Sequence, residues 1–130
     1  FDKLRSVFSD KGRAMIQTIT VGDRYFDRYR KGGDMIRSFV FPGGMLPSPS
    51  RFDHEARRAG LRVEDAHGFG LDYARTLRDW LIRFEDRLGE VRALGFDEAF
   101  IRVWRFYFAA CVAAFETGRT DVYQYRLAHA

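Results

Sequence analysis

The stretch 61-LRVEDAHGFGLDYARTLRDWLIRFEDRL-88 decides the fold. Its first part, 61-LRVEDAHGF-69, alternates Leu61, Val63 and Asp65 against Arg62, Glu64 and Ala66, the period of a strand with a polar side. From Asp72 to Leu88 the period changes. Ala74, Leu77, Leu81, Phe84 and Leu88 recur at three- and four-residue steps, with Arg75, Arg78, Arg83 and Arg87 elsewhere, which predicts an amphipathic helix. The glycines of 68-GFG-70 mark the loop between the two; with no third glycine and an acidic helix start, they are no dinucleotide fingerprint. Upstream, 51-RFDHEARRAG-60 predicts a helix with Ser50 as N-cap and Gly60 as its C-terminal glycine. Helix followed by strand is the pattern of an α/β layer.

The pattern repeats outward. Residues 97–117 form the longest predicted helix, with Phe100, Trp104, Phe108, Cys111 and Phe115 on one stripe and Gly118 at its stop; 121-DVYQYRLAHA-130 then alternates as a final strand. Toward the N-terminus, 13-RAMIQTITV-21 is rich in β-branched residues and predicts a strand buried on both faces, as in parallel sheets. Residues 1–9 predict a helix with Leu4, Val7 and Phe8 on one face, and helices are also expected over 23–31, closed by Gly32 and Gly33, and over 34–41. Three strands with five or six helices make an α/β chain, the closing half of an open sheet.

At 130 residues and 46% hydrophobic the chain is one unit able to bury a core. Its charge of +4 comes almost wholly from arginine and favours anionic partners, phosphate on lipid or nucleic acid. The single Cys111 excludes an internal disulfide, consistent with a reducing, cytoplasmic setting. The longest apolar run, 106-FYFAACVAAF-115, is about half of the roughly 20 residues a spanning helix needs, so any membrane contact is peripheral.

Few residues stand out as chemistry. Arg51, Arg57, Arg58 and Arg62 are either a solvated helix face or a phosphate contact. His54, His67 and His129 lack ligand spacing, and no metal is assigned. Cys111 lies on an apolar stripe and reads as a buried thiol. Tyr73, at a helix start after a strand, is either a packed aromatic or a functional group. Gln17, amid a strand expected to be buried, needs a ligand or a neighbouring loop to satisfy its amide. The stretch 39-FVFPGGMLPSPS-50 holds all three prolines beside Gly43 and Gly44, yet keeps Phe39, Phe41, Met45 and Leu46. It is either a loop pinned to the core or an apolar wall for a ligand.

Taken in order, 17-QTI-19, 38-SFVFPGGMLPS-48, 64-EDAHGFGLDYARTLRDW-80 and 97-DEAFIRVWRFYFAACVAAFETG-118 resemble the C-terminal part of cyclopropane-fatty-acyl-phospholipid synthases and their mycolic-acid and fatty-acid methyltransferase relatives. The resemblance covers essentially the whole chain. It implies a Rossmann-like methyltransferase fold of which residues 1–130 are the C-terminal portion, beginning before the fifth strand of seven. It also implies transfer of a methylene or methyl group from S-adenosylmethionine to cis double bonds of unsaturated acyl chains, with an unsaturated phospholipid at the inner face of the membrane as substrate. The resulting carbocation requires a dry aromatic pocket and a base, in this family a bound bicarbonate.

By the same resemblance Tyr73 hydrogen-bonds the bicarbonate and Ile19 offers it a main-chain group, while Gln17 stands where well-studied members have histidine. An amide still donates a hydrogen bond but does not titrate near neutral pH. That departure leaves open cyclopropane or methyl-branched product, and favours as alternative a non-catalytic lipid- or partner-binding homologue. Phe39, Phe41, Gly43, Gly44, Met45 and Leu46 would wall the acyl channel. The glycine-rich loop and ribose-binding acid of these enzymes have no counterpart here, so no residue is expected to bind the cofactor, and the chain alone is expected to be inactive. The first strand's free flank leaves homodimerisation open. Nucleic acid is not an expected partner, because the aromatics follow helical core spacing rather than an exposed strand platform.

Overall fold

The last strand in the chain is the middle strand of the sheet. The computed structural model describes residues 1–130. In order it comprises helix α1 (Asp2–Ser6), strand β1 (Arg13–Val21), α2 (Asp23–Lys31), a π-helical turn (Ile36–Val40), α3 (Pro49–Arg58), β2 (Leu61–Gly68), α4 (Gly70–Asp86), α5 (Leu88–Ala93), α6 (Glu98–Glu116) and β3 (Thr120–His129). The sheet order is β1-β3-β2, with β3 antiparallel to both neighbours. β1 and β2 therefore run in the same direction on either side of it.

Alternation along β3 sends side chains to two cores. On one face Tyr125 and Leu127 pack with Phe52 and Ala56 of α3 and Leu61 of β2, with Leu4 and Phe8 against them. On the other, Val122 packs with Ala74 and Leu77 of α4 and Phe108 and Phe115 of α6. Leu61, Leu77, Ile101 and Leu127 are fully buried, each removing roughly 1.5–3 kcal/mol of apolar exposure. Helices on both faces of a three-stranded sheet give the expected α/β architecture.

Several details depart from the sequence reading. β1 is an edge strand rather than one buried on both faces: it pairs only with β3, and Met15 is 60% exposed while Gln17 is exposed. Its β-branched composition reflects the strand itself, while only its end near Thr20 and Val21 is covered. α3 is capped by Ser48, whose Oγ accepts from Arg51 N at 3.3 Å, not by Ser50; Pro49 fills the first helical position, where its missing N–H costs nothing. The 34–41 segment forms a five-residue π-helical turn. Glu64 sits at a bulge between Val63 and Asp65, which breaks the alternation of β2. Val7 is 64% exposed, because α1 stops at Ser6. α5 lies in a stretch with no assigned element, and Ile101 rather than Phe100 is the buried residue near the start of α6.

Candidate active site

Tyr73 owes its position to one carboxylate. Asp121 Oδ1 accepts hydrogen bonds from Gly70 N (2.7 Å) and Val122 N (2.8 Å), tying the start of α4 to β3. Phe69 N also donates to Val122 O at 2.9 Å. A Cβ at residue 70 would lie 2.6 Å from that Asp121 oxygen, so only glycine permits the approach. One turn into α4, Tyr73 comes to rest against the buried cluster around Val122, the cluster that Ile19 of β1 also packs against. Its ring meets Phe115 at 5.3 Å, Trp80 at 6.0 Å and Phe69 at 6.5 Å.

Burial, and then the nearby Cys111 thiol, raise the Tyr73 phenol above its ordinary value. Burial first, then Cys111, push Tyr107 up to about 12, and burial pushes the Cys111 thiol up to about 11. Near neutral pH all three keep their protons. They offer hydrogen bonds and an apolar lining but no anionic base or thiolate nucleophile. Cys111 is half-buried rather than buried, packed against the edge of the cluster from the apolar stripe of α6.

Gln17 lies two residues from Ile19 on the same side of β1, about 7 Å along the strand. It is exposed, and its Oε1 accepts from Gln124 Nε2 of β3 at 3.0 Å. The amide is satisfied by its cross-strand partner rather than by a loop, and its NH₂ remains a donor.

The 39–50 stretch is a built turn. Gly44 N donates to Phe41 O at 2.9 Å across Pro42-Gly43, and Gly43 has φ +76°, the left-handed conformation that follows proline in a type II turn. Leu46 N donates to the Tyr29 hydroxyl (3.0 Å) and Val21 N to Pro47 O (3.0 Å), holding the segment to α2 and β1. Yet Phe39, Phe41 and Met45 stay 70%, 54% and 51% exposed, with Leu46 half-buried, so the backbone is pinned while these side chains are not core. Phe41 touches Tyr107 edge-on at 6.0 Å, and Tyr107 lies one helical turn before Cys111. The structure thus joins Tyr73 and Ile19 through one cluster, sets Gln17 on the same strand face as Ile19, and brings Phe41 to the cluster's margin.

Three residues absent from the sequence-level list belong here. Tyr107 and Trp104 (5.3 Å apart) line the margin, and Gln124 orients Gln17. The heptad-like step from Trp104 through Tyr107 to Cys111 was a legible signal for the first two; Gln124 required the strand register. The other basic cluster is accounted for by ion pairs: Arg51 and Arg58 with Glu55, Arg57 with Asp53, Arg62 with Glu64. These are surface pairs of small energetic worth, which favours the solvated-face reading.

No loop in these residues suits a sulfonium nucleoside. A single glycine, Gly22, joins β1 to α2, and the α4 N-terminus, which a phosphate or carboxylate would otherwise seek, is closed by Asp121.

The chain is similar along its length to proteins of known name. It is 38% identical over 128 residues to the tuberculostearic acid methyltransferase UfaA1 of Mycobacterium tuberculosis, covering 98% of this chain and 30% of that protein. It is 34% identical over 89 residues to the cyclopropane-fatty-acyl-phospholipid synthase of Escherichia coli, covering 68% of this chain and 23% of the relative. Its fold superposes on the mycolic acid cyclopropane synthase CmaA1, solved in complex with SAH and CTAB, with TM-score 0.84 at 25% identity, over 97% of this chain and 47% of that one. The chain thus spans less than half the length of each. The profile of the mycolic acid cyclopropane synthetase family matches residues 1–125, and the chain belongs to that family.

Proposed function

We propose that the protein transfers a methylene or methyl group from S-adenosylmethionine to a cis double bond of an unsaturated acyl chain, with a membrane phospholipid carrying the accepting chain. The observation that carries this reading is that Tyr73 and Ile19 pack against one cluster whose margin Phe41 of the exposed apolar turn reaches through Tyr107, within a chain of this family. S-adenosylmethionine supplies the one-carbon unit, and residues outside this chain hold it.

The residues present act on the acceptor. Phe41, Tyr107 and Trp104 exclude water and offer ring faces to positive charge developing on the acyl chain. Tyr73 and the Gln17 amide donate hydrogen bonds to a small oxyanion, for which bicarbonate is the proposed identity, while that anion takes the departing proton. Burial keeps Tyr73 protonated, hence a donor throughout the neutral range. Ile19 is proposed to offer the same anion a main-chain group. Phe39, Met45 and Leu46, held by the Gly43-Gly44 turn, extend the apolar wall outward.

No helix is long and apolar enough to cross a membrane. Access to the lipid is proposed to be from one side, by a protein at the inner face of the membrane. The test is to incubate the full-length protein with S-adenosylmethionine and unsaturated phospholipid and weigh the released fatty acids. A gain of one methylene unit is expected; no gain in any acyl chain contradicts the reading and leaves a lipid-binding homologue in its place. A ring and a methyl branch are then separated by whether the product still reduces with hydrogen.

A further inference from the structure

The corner where α5 meets α6 exposes apolar surface that the two cores do not use. Leu94 is 77% exposed, Phe96 44% and Trp80 41%. Beside Leu94 a groove of about 360 Å³ opens between α4, α5 and α6, floored by Trp80, Phe84, Val91 and Phe108. Arg83, Arg87 and Glu90 complete its lining. Arg92 and Arg105 nearby are matched to Glu98 and Glu85. Arg87 has only a 4.0 Å contact with Glu90, both side chains 72% exposed, and Arg83 has no ion pair. The groove therefore pairs an apolar floor with guanidinium groups free to take a new anion.

We propose that this corner docks the protein on an anionic phospholipid bilayer: Leu94 and Phe96 enter the acyl boundary, Trp80 sits at the interface, and Arg83 and Arg87 hold headgroup phosphates. Each part matches the chemistry of that surface, apolar side chains at a loop tip, an indole beside them and cations within reach of phosphate. The corner is also joined to the candidate site. Phe96 stacks on Phe100 at 4.2 Å, Phe100 meets Trp104 at 5.8 Å and Trp104 meets Tyr107 at 5.3 Å, a row along α6 that leads from the corner to the margin of Tyr73. Phe100 to Tyr107 is about 10 Å along the helix, within the length of an extended acyl chain. The proposal rests on the phospholipid reading above and names the surface by which that substrate is met.

The test is co-sedimentation of the full-length protein with vesicles of phosphatidylcholine alone and of phosphatidylcholine with phosphatidylglycerol. Leu94→Asp is expected to lower partitioning into both by about tenfold or more, from the loss of one inserted leucine. Arg83→Glu with Arg87→Glu is expected to abolish the preference for anionic vesicles and its salt dependence. Both variants should keep the parent's melting temperature. Unchanged partitioning in both variants overturns the proposal. So does a fall in melting temperature or a change in molecular mass with Leu94→Asp, which would mean that protein already covers the corner. Vesicle binding without any product would refute the catalytic reading and leave the docking surface standing; product without the predicted loss of binding would do the reverse.

Discussion

The α4/α6 face of the sheet and the 39–50 turn are both rich in large apolar residues, and they handle them in opposite ways. Under the helices, Leu77, Phe108, Phe115 and Val122 are buried to within a few per cent. In the turn, the backbone is fixed by Pro42-Gly43 and by the Tyr29 hydroxyl, while Phe39, Phe41 and Met45 face outward. The first set stabilises the fold. The second is held in place by other means and is free to contact something else. Apolar content alone does not separate structure from function; the fraction buried does.

Substitutions should divide along that line. Leu77→Ala, at a fully buried position, is expected to cost about 2–5 kcal/mol in chemical denaturation, whereas Phe39→Ala should stay within about 0.5 kcal/mol yet lower turnover of phospholipid. Equal stability losses at the two sites would erase the distinction. Gly70→Ala is expected next, at about 1–3 kcal/mol, because its Cβ meets Asp121; α4 would shift and Tyr73 with it, so turnover should fall together with stability.

A pH titration separates the buried phenols from the exposed turn more finely. Tyr107 rises from 10.0 to about 12 on folding, so the folded state holds this proton more tightly. Its contribution to stability is complete below pH 10 and is lost as pH climbs through about 12. Tyr107→Phe should flatten that part of the stability curve, and an unchanged slope would show that the phenol is not buried. The smallest effect is expected at Gln17. Gln17→His should leave stability unaltered and add a dependence of turnover on pH near the histidine value of about 6.5, absent with glutamine. A parent profile that already carries such a step would remove Gln17 from the account.

Most of the architecture was legible where side-chain period and local chemistry agree. The strand-to-helix switch at 68-GFG-70 is visible because a two-residue period gives way to a 3.6-residue one within a few positions. Gly60 and Gly118 mark helix ends because both adopt positive φ. What failed depended on neighbours distant in sequence. A β-branched run reads as buried on both faces whether or not helices cover them, so the exposed first half of β1 could not be seen, and with it the exposed setting of Gln17. The order Ser48-Pro49-Ser50 offers two N-caps, and only the fit of proline at the first helical position favours Ser48. For the site, Tyr73 and Ile19 came from resemblance and converge in space, but Gln124 becomes visible only through the β1–β3 register.

The central claim is that Tyr73 serves the reaction rather than the packing. Its ring is in the cluster, while no hydrogen bond to the protein enters the setting of its phenol. The decisive measurement is the turnover of Tyr73→Phe in the full-length protein, followed by fatty-acid mass alongside its melting temperature and lipid binding. A fall of about 10²-fold or more in turnover is expected, as for loss of a preorganised hydrogen-bond donor to an anion, with both other readouts unchanged. Turnover equal to that of the parent would contradict it.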